Sequence, residues 1–150
     1  MAAPRPEIRP FRLWDLGRIL EIERASFPRE AYEAALFREL YRDCGQFFLV
    51  ARLGCRIAGY VVTSVAGGEA ELVSIAVDPA YRNRGVAGAL MRRTLAALRR
   101  RKVAALRLMV RPGNAAAVAF YRRWGFQRTG YARHYYDDGG AAVRMTLRFP

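Results

Sequence analysis

The run Arg82-Asn83-Arg84-Gly85-Val86-Ala87-Gly88 carries the residue types of an anion cradle. It follows an apolar segment, Leu72 to Val77, rich in valine and isoleucine and of strand length. Asp78-Pro79 stops that strand, because proline supplies no ladder donor. A helical pattern over Val86 to Arg101 comes directly after. Strand, tight basic loop and helix N-terminus together bring several main-chain N–H groups to one point, and the helix dipole adds about half a positive charge there. Gly85 lets the backbone come close to a phosphate, while Ala87 and Gly88 keep the first helical turn narrow. The chemistry this suits is capture of a pyrophosphate. A second candidate is Glu71, a carboxylate inside the predicted central strand, where an acid is costly unless used or satisfied. It is the candidate general base.

These residues need a frame, and the pattern of the chain supplies one. Glu7 to Phe11 reads as a first strand. Asp15 is placed to cap a helix with Leu16, Ile19, Leu20 and Ile22 on one face, and Phe27-Pro28 breaks it. A second helix is expected over Glu30 to Arg42, with Tyr32, Leu36, Phe37 and Leu40 inward. Gln46 to Arg52 and Arg56 to Val65 form a hairpin around Leu53-Gly54-Cys55, and Ala66-Gly67-Gly68 turns the chain into the central strand. After the basic loop, Ala87, Leu90, Met91, Leu95 and Leu98 line one helix face, opposite Arg92, Arg93, Arg99 and Arg100. Ala104 to Arg111 is the next strand, Asn114 caps a helix to Trp124, and Gly125 is well placed as its C′ residue. Phe126 to Arg133 and Ala142 to Phe149 close the chain as a strand pair. No repeat, linker or boundary interrupts this order, so residues 1–150 are expected to form one domain.

Other nucleotide loops are excluded: the spacing is neither G-x-x-x-x-G-K-[ST] nor G-x-G-x-x-G. Entered from a strand and D-P-x-Y-R, the pattern [QR]-x-x-G-x-[GA] resembles the acetyl-CoA loop of the GNAT superfamily of N-acetyltransferases. Leu106 to Phe126, L-R-L-M-V-R-P-G-N-A-A-A-V-A-F-Y-R-R-W-G-F, resembles the superfamily's next strand and helix, ending on Y-x-x-x-G-F. Within it the chain is most similar to RimI-type protein N-terminal acetyltransferases. The resemblance implies an α/β (α+β) fold with a central mixed, mostly antiparallel sheet of about seven strands flanked by four helices. It also implies direct transfer from acetyl-CoA to a primary amine, without metal and without an acyl-enzyme. Tyr121 falls at the family position that protonates the departing thiolate. Ile75, Ala76 and Val77 would pair through their backbones with the pantetheine arm, the Val77 N–H polarising the thioester carbonyl. Arg82, Asn83, Arg84, Gly85, Val86, Ala87 and Gly88 would hold the pyrophosphate, and Asn114 and Tyr121 would contact the cofactor.

Glu71 matches a glutamate that serves as base in the histone acetyltransferase branch. RimI-type members instead carry their base on the following strand, where this chain has Met109. Either Glu71 replaces it, directly or through water, or the acceptor arrives neutral, or catalysis is weak. An α-amine with a pKa near 8 is about one-tenth neutral at pH 7, against under about one part in a thousand for lysine. Weak base machinery therefore favours a protein N-terminus, ribosomal proteins included, as acceptor. Phe27, Pro28, Arg29, Tyr32, Tyr135 and Tyr136 match places that grip the first residues of a peptide, and His134 lies beside the tyrosine pair. A small amine acceptor and a non-catalytic acetyl-CoA-binding module stay open.

The net charge is +13, and arginine supplies all but one of the 26 basic residues. Charge of this size favours CoA phosphates, acidic peptides, ribosomal surfaces or nucleic acid without choosing among them. Two cysteines in different elements give neither a metal spacing nor a disulfide framework. No apolar run of spanning length and no apolar signal core occur, so a cytoplasmic protein, monomer or homodimer, is expected.

Overall fold

The computed structural model describes residues 4–150. Of the N-terminal stretch read for a signal core, residues 1–3 lie outside the described part. The elements are β1 (Glu7–Pro10), α1 (Leu16–Ser26), α2 (Ala34–Cys44), β2 (Phe48–Leu53), β3 (Arg56–Ala66), β4 (Glu69–Val77), α3 (Val86–Arg100), β5 (Ala105–Val110), α4 (Ala115–Arg123), β6 (Gln127–Ala132) and β7 (Ala142–Arg148). Their strands form one seven-stranded sheet in the order β1-β2-β3-β4-β5-β7-β6. Pairing is antiparallel for β1–β2, β2–β3, β5–β7 and β6–β7, and parallel for β4–β5. The mixed, mostly antiparallel sheet with four helices is therefore as expected. Two compact units divide the chain, one formed by residues up to Ser64 with Leu72–Arg101, the other by Val65–Glu71 with Lys102–Pro150.

In the first unit, α1 contributes Leu16, Ile19 and Ile22 to a core with Phe11, Phe37, Phe48, Val50, Tyr60, Val62 and Ala76. Phe11 stacks on Phe48 at 4.0 Å. Burying each such side chain is worth about 1.5–3 kcal/mol. Strands β2 and β3 are buried nearly without alternation, so both of their faces are covered. α3 lies against β1 and β2 and buries Val86, Leu90, Met91, Leu95 and Leu98. Gly59 on β3 makes a close approach possible: a Cβ there would lie 2.8 Å from the Ala76 carbonyl oxygen and 2.9 Å from Val86 Cγ1.

In the second unit, Leu106, Leu108 and Val110 of β5 and Val143 and Met145 of β7 are buried. Helix α4 ends in a left-handed Gly125, φ 97°, with Gly125 N–H donating to the Arg122 carbonyl and Phe126 N–H to that of Tyr121. This turn delivers the buried Phe126 to the core.

Two local expectations are corrected. Helix α2 begins at Ala34, not Glu30, with Glu33 extended at its N-cap. Tyr32 therefore precedes the helix, because its N–H donates to the Glu23 carboxylate instead of joining a helical turn. Asp15 does precede α1, but its carboxylate does not cap that helix. It accepts from the Arg9 guanidinium and from the Arg12 N–H, closing a short 3-10 turn over Leu13–Asp15. Burial alone would raise the Asp15 carboxyl; those bonds outweigh it and hold it below the ordinary range. Among the described residues no helix is long and apolar enough to cross a membrane, and no His, Cys, Asp and Glu cluster could hold a metal.

Candidate functional site

The basic loop has the geometry its sequence suggests. Asp78 accepts from the Ala80 N–H and pairs with Arg18, whose Nε also donates to the Ile57 carbonyl. Burial by itself would raise the Asp78 carboxyl, but Ala80 and Arg18 keep it below its usual value. The ionised carboxylate thus fixes the 3-10 turn Pro79–Tyr81 that opens the loop. Asn83 and Gly85 both take left-handed backbone, φ 63° and 76°, and a Cβ on Gly85 would meet nothing within 4 Å. Gly85 is the N-cap of α3, has no side chain to cap it, and no acid lies in the first turn. The first intrahelical bond runs from the Ala89 N–H to the Gly85 carbonyl, so the N–H groups of Val86, Ala87 and Gly88 have no partner within the helix. Arg82, Asn83 and Arg84 are exposed around them, with Arg84 over the Tyr81 ring at 5.5 Å.

The strand that feeds the loop is oriented by one bond. The Asp78 N–H donates to the Ala58 carbonyl on β3. Main-chain groups alternate sides along a strand, so Ala76 also faces β3, whereas the N–H and C=O groups of Ile75 and Val77 face the other edge. The parallel ladder with β5 comprises Glu69 to Glu71 against Ala105 to Arg107, and Ile75 and Val77 lie beyond it.

A buried carboxylate that the sequence reading passed over sits behind this strand. Glu23 of α1 is 1% exposed and accepts from three donors: the Tyr60 hydroxyl on β3, the Ser74 hydroxyl on β4 at 3.0 Å, and the Tyr32 N–H at 2.9 Å. Burial pushes the Glu23 carboxyl above its ordinary value despite these bonds. Its signal was legible: Leu16, Ile19, Leu20 and Glu23 follow the i, i+3, i+4, i+7 spacing of one helix face, so an acid stands where the stripe calls for an apolar residue. Ser74 is likewise the one polar residue between Leu72 and Val77. The predicted acceptor residues Phe27, Pro28, Arg29 and Tyr32 occupy the adjoining α1–α2 segment. Phe27 packs against the core, and the 37% exposed Tyr32 meets Phe37 edge-on at 6.3 Å.

The second unit gathers the other candidates. Tyr121 lies on α4, whose N-cap Asn114 accepts from the Ala117 N–H as expected. Its ring packs on Phe126 and is 8% exposed. Burial, and then the Tyr136 phenol, raise the Tyr121 hydroxyl well above its ordinary value, so it holds its proton. Tyr135 is raised by burial and then by the negative charge of Glu71, which places those two within electrostatic reach. Glu71 itself is exposed, and Glu69, paired to Arg107 at 2.9 Å, is a second acid on the same strand. The desolvation argument for Glu71 therefore does not apply: strand alternation turns both acids outward, between buried Ala70 and Leu72. Met109 is half-buried opposite Arg144 in register and offers no proton acceptor.

Arg111 organises the tyrosine pair, a role its sequence position did not announce. Its guanidinium lies 4.0 Å over the Tyr136 ring and donates to Asp138 at 3.0 Å. Tyr136 meets Tyr135 edge-to-face at 4.9 Å, and the Tyr136 N–H donates to the Gly140 carbonyl, closing the loop. His134, at φ 52°, is an exposed turn residue. An open cleft of about 440 Å³ is lined by Arg111, Pro112, Gly113, Asn114 and Ala141.

Comparison with known proteins bears on these arrangements. Residues 16–126 match the model of the acetyltransferase (GNAT) family. An N-alpha-acetyltransferase of Sulfurisphaera tokodaii is 31% identical over 92% of this chain and 90% of its own. Among solved structures, Ard1 from Thermoplasma volcanium superposes with a TM-score of 0.93 at 32% identity, over 97% of this chain and 98% of that one. The ribosomal-protein-S18-alanine N-acetyltransferase from Escherichia coli gives 0.82 at 31% identity, over 95% and 93%.

Proposed function

This chain belongs to the acetyltransferase (GNAT) family, and we propose that it transfers acetyl from acetyl-CoA to the N-terminal α-amine of a protein. The observation that carries this is the uncapped head of α3, with left-handed Gly85 open to space and no acid in its first turn. Such a site fits a diphosphate: the N–H groups of Val86, Ala87 and Gly88 would hold it, with Arg82, Asn83 and Arg84 around it. Acetyl-CoA, when bound, supplies the thioester carbonyl. The edge that the Ile75 and Val77 main chains face, with Ala76 between them, suits pairing with the pantetheine amides, and the Val77 N–H is the donor toward the carbonyl oxygen. Asn114 completes the cofactor contacts.

Glu71 accepts the proton of the attacking amine, directly or through water. Tyr121 serves the other end of the reaction, donating toward the sulfur as the carbon–sulfur bond breaks. Because its phenol is held above its ordinary value, it acts mainly as a hydrogen-bond donor and delivers the proton late. Phe27, Pro28, Arg29 and Tyr32 are the acceptor residues proposed in the first unit, and Tyr135 and Tyr136 those proposed in the second. The family match spans residues of both compact units, which supports reading residues 1–150 as one catalytic domain. The names of the relatives support a ribosomal protein as one acceptor, and the exposed arginine face of α3 suits a ribosomal or other polyanionic surface in the cytoplasm.

Met109 favours a second reading, an acetyl-CoA-binding module without turnover. The experiment that separates them is thiol release from acetyl-CoA with a panel of short peptides and free amines. Turnover confined to peptides with free N-termini, reduced in Glu71→Gln, is expected. Binding without turnover would favour the module, and turnover only with free amines a small-molecule acceptor.

A further inference from the structure

We propose that Glu23 is a positioning residue for the acceptor, holding the α1–α2 segment (residues 27–33) in place against β3 and β4. This rests on the reading of that segment as part of the acceptor site. The three donors on Glu23 come from three separate pieces of chain: Tyr60 from β3, Ser74 from β4 and the Tyr32 main chain from the segment itself. Core packing alone does not account for the residue. A leucine would continue the apolar stripe of α1 without the desolvation that a carboxylate carries. What the carboxylate adds is a fixed distance between the Tyr32 main chain and the strand bearing Ser74. Ser74 is followed at once by Ile75, whose main chain faces the edge read as the pantetheine side. Glu23 thus registers the segment that presents Tyr32 against the strand that presents the Val77 N–H. Glu23 is too buried to touch an acceptor, so its effect passes through Tyr32.

The informative variant is Glu23→Leu, which fits the apolar stripe and leaves the Tyr60 and Ser74 hydroxyls, 3.1 Å apart, to pair with each other. It should fold with unimpaired thermal stability while the peptide KM rises about tenfold and the acetyl-CoA KM stays within about twofold. Glu23→Gln, which keeps an acceptor for the Tyr32 N–H, should recover most of the peptide KM. Tyr32 amide exchange in Glu23→Leu should accelerate about tenfold, with the amides of α1 unchanged. An unchanged peptide KM, a fall in kcat with both KM values constant, or unchanged Tyr32 exchange would each overturn the proposal. Should the wild type acetylate no peptide, the functional reading fails, yet Tyr32 exchange still decides whether Glu23 holds the segment. Glu23→Met, which also removes the acceptor for the Tyr32 N–H and keeps an unbranched apolar side chain in the stripe, gives the same readout if Glu23→Leu misfolds.

Discussion

The turn at the head of α3 and the segment between α1 and α2 are built on opposite plans. Residues 82–88 owe their shape to main-chain angles at Asn83 and Gly85, and the side chains of Arg82, Asn83 and Arg84 are exposed. Residues 27–33 form neither helix nor strand, and among them the Tyr32 N–H is tied to one buried carboxylate. A site made of backbone should tolerate exchange of its side chains and fail when its dihedral angles or open space are taken away. A site held by a side chain should fail when that group is lost, even with the backbone sequence intact.

The largest expected effect tests the first plan. Gly85→Glu should lower acetyl-CoA affinity more than about 100-fold by calorimetry, since it brings strain at positive φ, bulk and a charge repelled by phosphate. Next, Tyr121→Phe should lower kcat about 30-fold while acetyl-CoA binding stays within a few-fold, because the phenol acts on the chemical step alone. Equal kcat would remove Tyr121 from its role. Arg82→Ala and Arg84→Ala, made singly, should each weaken acetyl-CoA about threefold, as exposed charges do. A loss larger than that of Gly85→Glu would break the comparison, because side chains would then dominate the turn. Arg111→Ala should raise the peptide KM about threefold in steady-state assays, the worth of one exposed ion pair and one cation–π contact.

Stability against pH should divide Asp78 and Glu23 in the same way. The Asp78 carboxyl is depressed in the fold, so its contribution is complete above about pH 4 and is lost as pH falls through the folded value. Glu23 is raised, so its contribution is present in acid and is lost as pH rises through its folded value. Urea unfolding of wild type, Asp78→Asn and Glu23→Gln across pH 3 to 8, a range of about five units, should therefore show differences that change in opposite directions.

These plans also explain what could be read from the chain. The helix-head turn is local: Asp78-Pro79, Gly85 and the apolar stripe of α3 lie within a few residues, so its form was legible before any packing was known. The same holds for Asn114 and Gly125 at the two ends of α4. Glu23, Tyr60 and Ser74 are distant in sequence and meet only when α1 packs on the sheet, so nothing local revealed their meeting. Arg111 meets Tyr136 and Asp138 by the same kind of long-range closure. Helix α2 was drawn a turn too early because propensity over Glu30 to Glu33 takes no account of the carboxylate that takes the Tyr32 N–H. The outward turn of Glu71 follows from its alternation with Ala70 and Leu72, which the strand's own sequence carries.

Gly59 packs behind Ala76, Val77 and Val86 of the candidate cofactor site, where a survey of ligand-facing positions would pass over it. If the head of α3 holds a diphosphate as proposed, its position depends on the carbon atom this residue lacks. Alanine there would have to push aside a carbonyl of β4 and the first buried side chain of α3 together, shifting the head of that helix. Libraries meant to improve cofactor affinity should leave position 59 untouched, and natural variation there should prove narrower than at the exposed Arg82 and Arg84.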